Sequence, residues 1–191
     1  MANTIKYDKE VLIEIKKSKF IGYTFFCENV EAANNCIKQL NAEHKKATHV
    51  CYSYVINSNE KANDDGEPQG TAGIPILDVI KKQKLENVLV AVVRYFGGIK
   101  LGAGGLVRAY SETASEVIKL SEIATLLKVV ECKTTFNYGE ENLLNALKQK
   151  DGVYNVQVNY VDKLEVTFCL DKNTILNDFN FEKFDEKLIR V

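Results

Sequence analysis

Glycine is concentrated in one part of this 191-residue chain, and that concentration constrains the fold more than any other feature of the sequence. Eight of the eleven glycines, and both prolines, lie between Gly66 and Gly105. Glycine adopts positive φ at low cost and lets the backbone approach a ligand or another chain segment closely. Because Ile, Leu, Val and Phe are interleaved with these glycines, the segment predicts two shaped loops and not a flexible linker. We expect any functional site to lie in these loops.

Composition restricts the class of protein. Hydrophobic residues make up 46% of the chain and charged residues 27%, which is typical of a globular protein with its own core. The net charge of −1 excludes electrostatic nucleic-acid binding by the whole molecule. Residues 1–130 carry a net charge of +2 and residues 131–191 of −3, so an anion site would be local and in the first part.

The lack of a recognisable targeting or membrane-spanning segment, together with the cysteine usage, predicts a cytoplasmic protein without membrane contact. No apolar segment is long enough to span a bilayer, and the first residues do not resemble a signal peptide. None of the five cysteines forms a C-x-x-C pair, and each lies in or beside an apolar segment. We predict reduced, buried thiols.

Periodicity predicts the elements of a first domain over residues 1–125. Alternating apolar residues predict strands, whereas apolar spacings of three and four predict helices. Residues 87–95 are apolar on both faces, which predicts a central strand covered on both sides. The turn-rich residues 57–70 predict an exposed loop. The remaining predictions are strands over 11–17, 18–26 and 49–56, and helices over 30–41 (capped by Asn29), 71–84 (capped by Thr71) and 104–120.

The pattern over residues 126–191 predicts a second domain. Its predicted order is strand, helix, strand, strand, helix, strand, which is the ferredoxin-like βαββαβ pattern, within an α+β protein overall. Since no His, Cys or carboxylate cluster occurs there, we expect a binding or assembly module with a possible protein partner. The predicted strands cover 126–137, 153–160, 164–170 and 188–191, and the predicted helices cover 140–150 and 174–187.

The glycine loop does not match standard nucleotide motifs. Ala103 and Gly104 stand where a P-loop needs Lys and Ser or Thr, and Val107 stands where a dinucleotide fingerprint needs its third glycine. Three cations beside exposed backbone instead favour phosphate or carboxylate recognition. Alternatively, the glycines serve close packing of a helix on a strand. The candidate anion-binding residues are Arg94, Gly97, Gly98, Lys100, Gly102, Gly104, Gly105 and Arg108.

The acidic loop Asp64-Asp65-Gly66-Glu67 permits two interpretations. Its three carboxylates could bind Mg²⁺ or Ca²⁺, or they could belong to a capped, charged turn. His49 and Arg94 could complete an enzyme site with these carboxylates, although the position of His44 and His49 around the start of a strand favours surface or strand-end residues over ligands. The sequence does not identify which residues would catalyse a reaction or bind a metal, and we predict no cofactor.

Several blocks of the sequence resemble the IMPACT family, in its bacterial YigZ type. The resemblance covers roughly residues 10–125, and it continues more weakly into residues 130–191. The matching blocks are Ser18-Lys19-Phe20-Ile21, Ala47-Thr48-His49, Asp64-Asp65-Gly66-Glu67-Pro68, Gly70-Thr71-Ala72-Gly73, Val93-Arg94-Tyr95-Phe96-Gly97-Gly98, Lys100-Leu101-Gly102 and Gly104-Gly105-Leu106.

The resemblance implies a fold for each domain and a role connected with translation. The first domain would be similar to the ribosomal-protein-type βαβ fold of the fourth domain of elongation factor G, and the second to its fifth, ferredoxin-like domain. Eukaryotic members regulate translation by opposing activation of a kinase, a partnership that we do not transfer to this chain. The resemblance favours a non-enzymatic translation-related protein that binds RNA or the ribosome. A metal-dependent or small-molecule-processing enzyme, and a protein–protein adaptor, are the alternatives.

Overall fold

The computed structural model describes residues 2–177 and 179–191. The chain divides into two compact units. The N-terminal unit runs up to Leu126 and includes Arg190–Val191, whereas the C-terminal unit is Leu127–Ile189. Among the described residues, no helix combines the length and the apolar character that a bilayer span requires.

An antiparallel five-stranded sheet forms the centre of the N-terminal unit, in the order β2-β3-β6-β4-β5. The strand β6 lies in the middle and is buried from Val88 to Arg94, which confirms the prediction of a central covered strand. The sheet strands are β2 (Lys9–Ile15), β3 (Ser18–Phe26), β4 (His49–Ile56), β5 (Asn59–Asn63) and β6 (Val88–Tyr95), and the helices are α1 (Val30–Glu43), α2 (Gly73–Lys82) and α3 (Ala103–Ser121).

Helices cover both faces of this sheet because its strands present apolar side chains in both directions. The helices α2 and α3 cover one face, and α3 buries a stripe of Leu106, Tyr110, Ala114 and Val117 there. On the other face, α1 buries Ala33, Ile37 and Leu40. Asn29 caps α1 as predicted, since its side chain accepts a hydrogen bond from the Ala32 N–H at 2.9 Å.

Two local predictions for this unit were wrong, and one strand was not predicted. Residues 59–63, predicted as loop, form the edge strand β5, because Asn57 and Ser58 adopt positive φ and close a two-residue hairpin. Helix α2 begins at Gly73 with Ala72 as its N-cap, and not at Thr71. The first strand, β1 (Ala2–Ile5), was not predicted, and it pairs with Ile123–Leu126.

The C-terminal unit contains a sheet with one packed helix. The strand β7 (Ile123–Phe136) is followed by α4 (Glu141–Lys148), β8 (Val153–Tyr160), β9 (Leu164–Asp171) and β10 (Glu182–Arg190). The order of its strands is β10-β7-β9-β8. Leu144 and Leu147 of α4 pack with Phe168 in its core.

The second helix predicted for this unit, over residues 174–187, was wrong. Residues 182–187 belong to the strand β10, and the described residues before it are not helical; Asp178 lies outside the described residues. Phe179 and Phe181 pack against the core, and β10 pairs with β7. These contacts outweigh the helical spacing of the segment.

Candidate functional site

The glycine loop begins in close contact with the turn between β2 and β3. A Cβ atom on Gly97 would lie 2.0 Å from the carbonyl oxygen of Lys17, so only glycine fits there. The Gly97 N–H donates to the Ser18 Oγ at 3.1 Å, and the Phe96 N–H donates to the Thr48 Oγ1 at 2.9 Å. Gly97 therefore has a packing role, which agrees with the alternative interpretation at this one glycine.

The remainder of the loop is open to solvent. Gly98 and Gly102 adopt positive φ, and a Cβ atom on either of them, or on Gly104, would meet no atom of the described part of the chain within 4 Å. Lys100 and Arg108 are exposed, and the Arg108 Nε donates to the Gly104 carbonyl at 3.1 Å. A Cβ atom on Gly105 would lie 3.0 Å from the Leu101 Cβ. The anion-binding role of these residues stays a prediction.

Helix α3 starts directly after this loop without a side-chain cap. Its N-cap residue is Gly102, which has no side chain to accept a hydrogen bond from the N–H groups of the first turn. The free N–H groups of that turn carry partial positive charge and favour a nearby anion.

Arg94 does not fit the predicted role of a phosphate contact. The residue is 5% exposed, and its Nη1 donates to the Glu67 Oε1 at 2.6 Å. Its guanidinium carbon lies 5.4 Å from the ring centre of Phe20 and 5.4 Å from that of Phe96. The charge is thus neutralised and enclosed, and the Nε of Arg94 is buried without a hydrogen-bond partner among the described residues. This placement argues against direct contact between Arg94 and a polyanion.

Glu67 joins the acidic loop to the elements around the glycine loop. Its Oε1 accepts a second hydrogen bond, from the Tyr110 hydroxyl at 2.7 Å, and its side chain is 3% exposed. The Cys51 thiol lies 3.4 Å from the same hydroxyl. Burial raises the pKa of Cys51 to about 12, and burial also raises the pKa of Tyr110 far above its usual range. Both groups are therefore neutral donors at physiological pH.

The two aspartates of the acidic loop bind backbone and not each other. Asp64 accepts hydrogen bonds from the N–H groups of Gly70, Ala72 and Gly73 at 2.8 to 3.0 Å, which caps the start of α2. Burial of Asp64 opposes ionisation, but these bonds prevail and lower its pKa below the ordinary value. Asp65 accepts from the Val50 N–H at 2.6 Å.

This arrangement favours the capped turn over a metal site. Within residues 2–177 and 179–191, no group of three His, Cys, Asp or Glu side chains is placed to hold a metal ion. Gly66 has the positive φ that the turn requires, and a Cβ there would lie 3.5 Å from the His49 ring.

His49 lies beside the network at the edge of the acidic loop. Its Nδ1 is 2.7 Å from the Asp65 carbonyl oxygen, which can only accept, so Nδ1 carries the proton. Its Nε2 lies 3.8 Å from the Glu67 Oε2. The structure thus brings His49, Glu67 and Arg94 together, as the enzyme alternative required, while Asp64 and Asp65 are engaged elsewhere.

A surface pocket lies next to the glycine loop on the sheet face that carries α1. Its volume is about 490 Å³, and its lining consists of Leu12, Lys17, Lys19, Ile21, Tyr95 and Phe96. The pocket was not predicted from the sequence, because its lining residues come from three strands and two loops. The available signal was the alternation of β3, which places Lys19 and Ile21 on the same face. A larger open depression of about 930 Å³ lies on the C-terminal unit, where Lys133 is accompanied by Glu165 and Glu182.

This chain, with its two α+β units and its glycine loop next to a buried ion pair, is similar to known proteins. A profile of the Impact N-terminal domain matches residues 16–118. An IMPACT family member from Haemophilus influenzae is 34% identical over 167 residues, which cover 85% of this chain and 81% of the relative. The chain belongs to the IMPACT family, as the sequence blocks indicated.

Other relatives match over a shorter range. IMPACT family member YvyE of Bacillus subtilis is 49% identical over 59% of this chain and 54% of the relative. YigZ of Escherichia coli is 40% identical over 57% of this chain and 56% of the relative. These two matches thus span about half the length of each relative. A crystal structure described as a hypothetical protein superimposes with a TM-score of 0.62 at 30% identity, covering 88% of this chain and 84% of that one, which confirms the α+β class.

Proposed function

We propose that this chain is a translation-related protein that binds RNA, free or on the ribosome, at a basic surface beside the glycine loop. We define the basic surface by its five exposed cations: Lys16, Lys17, Lys19, Lys100 and Arg108. The observation that carries the proposal is the contact of Gly97 with the backbone of Lys17. This contact joins the lysines of the β2–β3 turn to the loop that contains Lys100.

The electrostatics of the surface fit a chain of phosphates. Lysine and arginine side chains bind phosphates, and the uncapped start of α3 adds oriented N–H groups. Glu14 lies opposite Lys19 across the β2–β3 pair, so Lys16, Lys17, Lys100 and Arg108 supply most of the net charge. Arg94 has no direct part in this surface, because Glu67 neutralises it.

Membership of the IMPACT family supports the connection to translation. We propose that the N-terminal unit corresponds to the ribosomal-protein-type fold of the fourth domain of elongation factor G. We also propose that the C-terminal unit is a ferredoxin-like module in which an extended segment replaces the second helix. The strand order β10-β7-β9-β8 supports this assignment. That unit could also bind a protein partner.

Co-sedimentation with purified ribosomes, and binding of bulk RNA over a salt series, test the proposal. We expect the affinity to fall with salt, and the triple variant Lys16→Ala/Lys100→Ala/Arg108→Ala to lose most of it. For single-stranded RNA each phosphate contact contributes a slope of about −0.7 in log K against log salt, so three contacts contribute about −2.

A matched control is the triple variant Lys38→Ala/Lys82→Ala/Lys119→Ala, which removes the same charge from exposed positions. Lys119 lies about 24 Å along α3 from Ala103 at a rise of about 1.5 Å per residue. The control should retain wild-type affinity. Equal losses in the two triple variants, or a folded wild type that binds no RNA at any salt concentration, would refute the basic surface as the site.

A further inference from the structure

The pocket beside the basic surface has aromatic walls with lysines beside them. Phe96 is 45% exposed, whereas Tyr95 is half-buried. Ile21 and Leu12 lie directly opposite each other on β3 and β2 and supply the apolar floor. Lys17 and Lys19 complete the lining. A flat aromatic group that carries an anionic substituent matches both the apolar surface and the charge.

Both aromatic walls are fixed from behind. The Tyr95 hydroxyl lies 2.8 Å from the His44 Nδ1, and the His44 Nε2 lies 2.9 Å from the Tyr23 hydroxyl. Phe96 lies against the guanidinium of Arg94, which Glu67 holds in place. Because these rings are ordered before a ligand arrives, stacking on them requires little additional loss of side-chain freedom.

We propose that this pocket accepts one nucleobase of single-stranded RNA, stacked on Phe96, while Lys17 and Lys19 contact the adjoining phosphate. The proposal rests on the proposed function, and it adds the form of RNA that is recognised. Bases within a duplex are stacked on each other and their faces are inaccessible, whereas every unpaired base offers a face to an aromatic ring. The buried pair of Arg94 and Glu67 acts here as a positioning device behind Phe96.

Fluorescence of RNA that contains 2-aminopurine tests this inference on the full chain. We expect a short single-stranded RNA to bind more tightly than a duplex of the same labelled strand, with quenching of the 2-aminopurine on binding. Phe96→Ala should weaken single-strand binding by about 5- to 140-fold, which is the affinity that stacking of one base on an aromatic ring contributes, and it should abolish the quenching. Phe96→Tyr keeps a ring and should bind like the wild type.

Tyr7→Ala is the matched control. Tyr7 is also 45% exposed and also lies near lysines, Lys6 and Lys9, but it is not part of the pocket lining. It should change the affinity less than twofold, and melting curves should show that each variant is folded. Lys17→Gln/Lys19→Gln should reduce the salt slope by about 1.4 if both lysines contact phosphates.

The outcomes separate the two proposals. Salt-dependent RNA binding that is lost in the basic-surface variant, but is equal for duplex and single strand and unchanged in Phe96→Ala, would overturn the nucleobase pocket alone. Equal losses in Tyr7→Ala and Phe96→Ala would also overturn it. A folded wild type that binds neither form of RNA would overturn both proposals and would leave the pocket to a protein side chain.

Discussion

Removing the charge of Glu67 should destabilise the N-terminal unit strongly, although the substitution Glu67→Gln is nearly isosteric. The Glu67 and Arg94 side chains are only 3% and 6% exposed, and their charged atoms are 2.6 Å apart. Breaking a buried pair from one side costs about 3–5 kcal/mol, because the remaining charge stays buried without compensation. A Coulomb energy of about 4 kcal/mol at 4 Å and an effective dielectric constant of about 20 agrees with this range. Arg94 and Tyr110 both donate to the Oε1 of Glu67, and Gln keeps an oxygen that can accept both bonds, so the substitution mainly removes the charge.

We therefore expect Glu67→Gln to lower the free energy of unfolding by about 3–4 kcal/mol, and the melting temperature by about 6–16 °C for a chain of this size. Urea denaturation followed by far-ultraviolet circular dichroism measures this change in stability. The chain contains no tryptophan, so tryptophan fluorescence cannot be used instead. Glu60→Gln is the control. Glu60 pairs with Lys81 at 2.8 Å, but their side chains are 41% and 51% exposed, so this change should cost less than about 1 kcal/mol.

A second variant separates the loss of charge from the loss of packing. The simultaneous replacement Arg94→Met/Glu67→Leu/Tyr110→Phe removes both charges and the hydroxyl donor while it keeps comparable volume. We expect it to recover most of the lost stability, since apolar replacements of buried ion pairs are often neutral or stabilising. If Glu67→Gln costs no more than Glu60→Gln, then Arg94 is solvated in solution and the description of a buried pair is incorrect.

Two further predictions concern the loops. Gly97→Ala should cost more than about 2 kcal/mol in urea denaturation, since its Cβ would clash with the Lys17 carbonyl, whereas Gly104→Ala should stabilise α3 by about 0.5–1 kcal/mol; equal effects would refute the contact. Asp64→Ala should cost about 1–2 kcal/mol at pH 7 through the lost cap. Because the pKa of Asp64 is lowered on folding, its contribution is complete above the ordinary value of 3.8 and is lost as the pH falls through the lowered pKa, so wild type and variant should converge as the pH falls below that ordinary value in the same assay. A gap that stays constant with pH would contradict the role of the carboxylate.

The central strand and the helices of the N-terminal unit could be predicted from the sequence. The apolar residues of β6 and the stripe of α3 are regular over many residues, and such long patterns survive tertiary packing. The edge strand β5 was missed because its exposed residues Asn59–Asn63 carry no apolar alternation. The segment of β10 was assigned to a helix because its pairing with β7 depends on residues about fifty positions away.

The sequence indicated which residues lie together but not the role of each one. The concentration of glycine placed the expected site in these two loops, which stays a prediction, and the structure brings His49, Glu67 and Arg94 together as the enzyme alternative required. The burial of Arg94 could not be predicted, because an arginine at the end of a strand is usually exposed, and its partner is 27 residues distant. The roles of Asp64 and Asp65 depend on backbone N–H groups, which every residue type except proline provides.

The turn between β2 and β3 shows where this chain gives up stability. Lys16 and Lys17 both adopt positive φ, at 46° and 65°, in a two-residue hairpin that Asn-Gly would form with less strain. The corresponding turn after β4 uses Asn57, a residue that tolerates this conformation. Two lysines at such positions cost about 1–2 kcal/mol each relative to an unstrained backbone. An engineer who optimised this hairpin for thermal resistance would discard these lysines first, and the resulting protein would be more robust but would have lost part of its basic surface.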